Sequence, residues 1–138
     1  AVGSLRHLAD GQGLGDRVTA ERHDLQRTFP GGTYDLVSAQ YFHTPFAIDR
    51  AAVLRTAAQS LRVGGRLLIV DHGSIAPWSW TQDSTTRIPS PQQVFDELEL
   101  SADSWSAERS EQLERIAAGP NGERAVVTDN VLLVHRTH

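Results

Sequence analysis

The sequence predicts an α/β fold: part of a doubly wound, mostly parallel sheet closed by a C-terminal antiparallel hairpin. Three observations carry that prediction. Leu67 to Val70 is an unbroken apolar run, the pattern of a parallel strand covered by helices on both faces. Upstream, Ile48, Ala51, Leu54, Ala58 and Leu61 recur at helical spacing behind a short aromatic and β-branched segment, Tyr34 to Ala39, so a β-α-β crossover is complete. Downstream, Gly119, Pro120, Asn121 and Gly122 form a turn before Ala125 to His135, whose Val-Leu-Leu-Val centre reads as a strand.

In chain order, Leu5, Leu8 and Ala9 share one face of a short helix that Gly11, Gly13 and Gly15 end in a loop. Val18 to Leu25 alternates loosely and is expected to be a strand, followed by a turn at Pro30, Gly31 and Gly32. The strand Tyr34 to Ala39 gathers polar residues at its C-terminal end, where ligands bind in α/β sheets. A helix is expected from Asp49 to Arg62, with Gly64 as the left-handed residue past its end. The strand after it ends at Asp71, His72 and Gly73. Ile75 to Pro89 lacks periodicity and holds two tryptophans, as expected of a long loop kept for function. Ser90, Pro91 and Gln93 then write a capping box with proline at the first helical position, and Val94, Phe95 and Leu98 face the core. Trp105 to Ala118 favours helix by propensity, but the turn and strand that follow make an antiparallel hairpin the economical assignment.

At 138 residues, 39% hydrophobic and 22% charged, the chain has the length and composition of one folded domain, residues 1–138. The net charge of −4 includes thirteen arginines and no lysine. They are spread along the chain, which argues against nucleic acid or an anionic membrane as partner. There is no cysteine, hence no disulfide or thiolate chemistry. Neither a membrane span nor a signal peptide is written in the sequence, and a cytoplasmic location is expected. The histidines lack the spacing and carboxylate company of zinc ligands, and no metal is expected. The absence of methionine and the start inside a helix suggest that upstream residues are missing.

The stretches YDLVSAQYFHTPF and LRVGGRLLIVDHG, with the helix between them, resemble the fourth strand, following helix and fifth strand of class I S-adenosylmethionine-dependent methyltransferases. The resemblance is to small bacterial members of the tellurite-resistance and thiopurine-methyltransferase-like type. GDRVTAERHDL is similar to that family's third strand, and GPNGERAVVTDNVLLVHRT to its closing sixth and seventh strands. No glycine-rich loop follows an early strand: GQGLG at Gly11 to Gly15 has no strand before it and more simply ends a helix.

The resemblance implies S-adenosylmethionine as cofactor. It places Asp24 and Leu25 near the adenine, and Ser38, Ala39 and Gln40 beside the methionine part. Asp24 fits a strand-end carboxylate that accepts from turn amides equally well. His43 and His72 are candidates for contact with the methyl acceptor, and Trp78 and Trp80 for the walls of an apolar or aromatic pocket. Each also has a purely structural use. Asp71 and His72 are adjacent on a strand, point to opposite faces, and so do not make a dyad.

The family's strand order, 3-2-1-4-5-7-6, would leave the fourth strand as an apolar edge. That edge predicts either a homodimer completed across it or direct pairing with the third strand. The functional expectation is methyl transfer to a small-molecule acceptor in the intact parent protein, with this chain alone inactive. A non-catalytic dimerisation or regulatory module on the same scaffold is the alternative.

Overall fold

The computed structural model describes residues 1–42, 47–80, 82–83, 85 and 87–138, in two compact units, Ala1–Gly31 and Gly32–His138. In the first, helix α1 (Val2–Gly11) buries Ala9, while Leu5 and Leu8 of the expected face are half exposed. The chain then turns back on itself. Leu14 N donates to Ala9 O, and Arg6 holds the Ala20 carbonyl through Nε (3.1 Å) and Nη2 (2.6 Å).

The strand expected over Val18 to Leu25 does not form. Residues 18–24 are irregular, and the amides that bond do so locally: Val18 N to Leu14 O, Arg27 N and Thr28 N to Asp24 O. Loose alternation cannot make a strand without a neighbour to accept its ladder, and turn bonds take the amides instead.

The second unit is built on one four-stranded sheet in the order β1-β2-β4-β3, formed by β1 (Tyr34–Gln40), β2 (Leu61–His72), β3 (Trp105–Ala118) and β4 (Arg124–Arg136). β1 and β2 are parallel, while β2–β4 and β4–β3 are antiparallel. The sheet is thus mixed rather than mostly parallel. Helices α2 (Arg50–Gln59) and α3 (Pro91–Glu97) complete the unit.

The core lies on one face of the sheet. Val53, Leu54, Ala57 and Ala58 of α2 and Val94 of α3 are buried with Leu67, Ile69, Leu132 and Val134, which alternate along β2 and β4. In register on the opposite face, Leu68, Val70, Val131 and Leu133 are only half-buried. A doubly wound sheet would carry helices there too, so only one layer of that arrangement is visible in this unit.

Helix α2 is shorter than expected. Asp49 caps it, accepting from Ala52 N at 2.9 Å, but it ends at Gln59 because Leu61 is drawn into the sheet opposite Tyr34, whose amide bonds Ser60 O. Gly64 is left-handed, with φ +84°, within β2 and not at a helix end. The β1–β2 register jumps from Tyr34↔Leu61 to Leu36↔Arg66, so Arg62 to Gly65 is a bulge. A side chain at Gly65 would sit 3.1 Å from Tyr34 O, and only glycine lets the two backbones approach there.

The capping box at Ser90 forms as expected, with Gln93 N donating to Ser90 Oγ and Ser90 N to Gln93 Oε1. The long hairpin forms as well, paired from Trp105↔Arg136 to Ala118↔Arg124 with a bulge at Glu108. No helix is long and apolar enough to cross a membrane.

Candidate functional site

Because β1 and β2 run parallel, their carboxyl ends lie side by side, and the chain leaves the sheet there at Tyr41 and at Gly73. The β3–β4 hairpin runs past them: His72 is opposite Asp129, and β4 begins five residues earlier at Arg124. His72, at the end of β2, and the loop that follows it line a cleft of about 800 Å³, with Ile75, Trp78, Arg87 and Ile88 among its walls.

The loop is fastened at both ends to β4. Gly73 N donates to Thr128 O and Thr128 N to Ser74 Oγ, each at 2.8 Å. At the far end, buried Asn130 donates from Nδ2 to Pro89 O and accepts at Oδ1 from Gln112 Nε2, both at 2.9 Å. Gly73 is required by this packing, since a Cβ there would lie 2.5 Å from Asn130 Oδ1. Trp78 leans on the hairpin turn so closely that a Cβ on Gly119 would be 2.7 Å from its ring. Trp80, by contrast, is 97% exposed at the mouth of the cleft.

A chain of polar and aromatic contacts crosses the same end of the sheet. Arg115 donates to Asp129 through Nε (2.6 Å) and Nη2 (3.5 Å), and Nη2 also reaches Tyr41 Oη at 3.4 Å. The hydrogen bond to Asp129, and then that to Tyr41, raise the Arg115 pKa further above its ordinary value. The Tyr41 ring lies on the His72 ring, with centroids 4.5 Å apart and planes inclined by 31°. Tyr41 holds φ at +50°, a left-handed conformation uncommon for a bulky residue and frequent where structure is shaped for function. On the covered face, Arg50 Nη2 donates to buried Asp71 Oδ2 at 2.5 Å. Asp71 and His72 thus serve opposite faces, as their adjacency requires.

Of the residues singled out from sequence, Ser38, Gln40, His72, Trp78 and Trp80 lie at this end of the sheet or in the loop beyond it. Gln40 Nε2 donates to Ser38 Oγ (3.2 Å), and both are exposed; Ala39 faces the other way, opposite Ile69. Asp24 and Leu25 belong to the first unit. Asp24 Oδ1 accepts from Gln26 N at 3.3 Å and its Oδ2 lies 3.8 Å from Arg27 Nε, so it does the work of a turn carboxylate. His43 lies outside the described residues. Tyr41 and Arg115 were not anticipated, because they stand 74 positions apart in sequence. Among the described residues, no group of three or more His, Cys, Asp or Glu could hold a metal ion.

No protein-family model matches the sequence, and no curated protein matches it. Solved structures do. TehB from Haemophilus influenzae superposes with a TM-score of 0.56 at 13% identity, covering 98% of this chain and 46% of that one. The mitomycin 7-O-methyltransferase MmcR gives 0.54 at 21% identity, covering 98% and 39%. The fold is that of class I methyltransferases. The chain spans less than half the length of either structure, and at these identities the likeness extends to the fold alone.

Proposed function

We propose that this chain belongs to a protein that performs S-adenosylmethionine-dependent methyl transfer to a small-molecule acceptor, of the small bacterial tellurite-resistance or thiopurine-methyltransferase-like type, and that the chain alone is inactive. The observation that carries the reading is the open cleft at the carboxyl end of β2, the strand paired in parallel with β1, in a sheet ordered β1-β2-β4-β3. Ligands of open α/β sheets bind at that end.

The residues present fit the methionine part of the cofactor. Ser38 and Gln40 offer exposed donors and acceptors, and Ala39 is small enough for close approach. Asp24 and Leu25 are assigned to the adenine on the family resemblance, which requires Asp24 to release its turn amide. When bound, the cofactor supplies an electrophilic methyl group on a sulfonium. The chain's own share is positioning: Trp78 and Ile75 exclude water from the cleft, and His72, fixed by the Tyr41 ring, orients the acceptor. His43 is assigned to acceptor contact by its place after β1. Such positioning is worth roughly 7 to 11 kcal/mol of barrier in favourable cases, without dedicated acid-base chemistry.

The outer strand β1, with Leu36 55% exposed, is the surface we assign to a homodimer. Edge strands with exposed apolar residues recruit further strands.

Calorimetric titration of S-adenosylhomocysteine into the 138-residue chain, with a light-scattering mass, tests both points. Absence of binding by the chain alone is expected, and micromolar binding that Ser38→Asp or Gln40→Ala weakens would overturn its inactivity. Absence of binding also in a longer protein that contains this chain would overturn the cofactor reading and favour an interaction module. A monomer overturns the dimer.

A further inference from the structure

The cleft carries a charge pattern that methyl transfer as such does not demand. Its wall is apolar, formed by Ile75, Trp78, Ile88 and Pro89, and among the described residues that line it Arg87 and His72 are the only ionisable ones. None of those described residues is a carboxylate. The loop's one acidic residue, Asp83, is engaged with Thr85, accepting from its amide at 2.8 Å and its hydroxyl at 2.6 Å, and these bonds hold its pKa below the ordinary value. Arg87 forms no ion pair among the described residues and is exposed.

Trp80 adds a second, independent observation. An indole 97% exposed at the rim of an apolar cleft leaves both ring faces in water, an arrangement that a flat ligand relieves by stacking. Behind the cleft, His72 is held in place through Tyr41 and Arg115 by the Asp129 carboxylate. The polar end of the cleft is therefore preset, and no ligand need order it.

We propose that this cleft takes a planar aromatic carboxylate, its ring between Trp78 and Trp80 and its carboxylate paired with Arg87. The inference names the acceptor class of the proposed methyl transfer and rests on that reading for its purpose, though not for the binding itself. Guanidinium and carboxylate match as planar, two-pronged partners, and an arene supplies the apolar area that a Trp-lined wall rewards.

The test uses the 138-residue chain without cofactor, titrated by calorimetry with 2-naphthoate and with its uncharged analogue 2-naphthamide. S-adenosylhomocysteine is titrated separately, so a failed cofactor site is seen apart from a failed arene site. The expected result is that 2-naphthoate binds about tenfold more tightly than the amide, and that Arg87→Gln removes this difference while binding of the amide is unchanged. Trp80→Ala weakens both ligands, and neither exposed substitution alters the thermal melting of the chain. Equal affinity for acid and amide, no binding of 2-naphthoate, or an acid preference that survives Arg87→Gln would overturn the proposal.

Discussion

Arg50 and Asp71, twenty-one positions apart, meet at 2.5 Å and tie the first residue of α2 to the carboxyl end of β2. The carboxylate is 8% exposed and the guanidinium 22%, so water does little to screen the pair. Arg50 Nε also bonds the Phe42 carbonyl at 3.1 Å, which brings the chain just after β1 under the same guanidinium.

Arg50→Ala should therefore destabilise the fold by about 3 kcal/mol, because it takes a charged partner away from a buried carboxylate. Denaturant melts at neutral pH measure it, and a loss below about 1 kcal/mol would show that the pair is solvated in solution.

Gly119→Ala places a methyl against Trp78 and Glu123. Overpacking of this kind costs about 1–3 kcal/mol. Here it should also push Trp78 off the hairpin, which a red shift of tryptophan emission reports; unchanged emission would place Trp78 elsewhere in solution.

Glu108 joins β3 to β2 by a two-pronged bond with Arg66, at 2.6 and 2.9 Å. Its hydrogen bond to Arg66 is the main cause that holds the Glu108 carboxyl below its ordinary value near 4.5. A depressed carboxyl stabilises the fold above its unfolded pKa, and the contribution is lost as pH falls through the folded value. Glu108→Gln should thus leave a shallower fall in melting temperature below about pH 4.5 than the parent shows. Parallel curves for the two proteins would exclude the linkage.

Ser90→Ala removes one half of the capping box on a helix of seven residues. A loss of about 1 kcal/mol is expected. Ser90→Asp should restore most of it, and failure of that rescue would point to a role for Ser90 other than the cap.

Much of the second unit was legible in the sequence because its signals are local. Ser90, Pro91 and Gln93 write their own helix start. Gly119 to Gly122 outweighed the helix propensity of the Glu, Gln and Arg residues before it, which are tolerated in β3 because that strand is an exposed edge. Gly64 misled for a physical reason: a left-handed residue serves a helix end and a bulge equally well, and only the pull of Tyr34 on Leu61 decides between them. Val18 to Leu25 misled because alternation reports a half-buried strand only where a neighbour exists. The site was the least legible part. His72 and the tryptophans were visible, but Tyr41 and Arg115 are joined only once all four strands are in register.

The hairpin also bears on time. β3 and β4 close over a turn of a few residues, whereas β1 reaches β2 only across α2, and β2 must bring Arg66 to His135. Pairings local in sequence form fastest. A refolding chain should therefore acquire its C-terminal ribbon first and lay β2, then β1, against it. During synthesis that template emerges after β1 and β2, so β2 leaves the ribosome before the strand that flanks it on the other side.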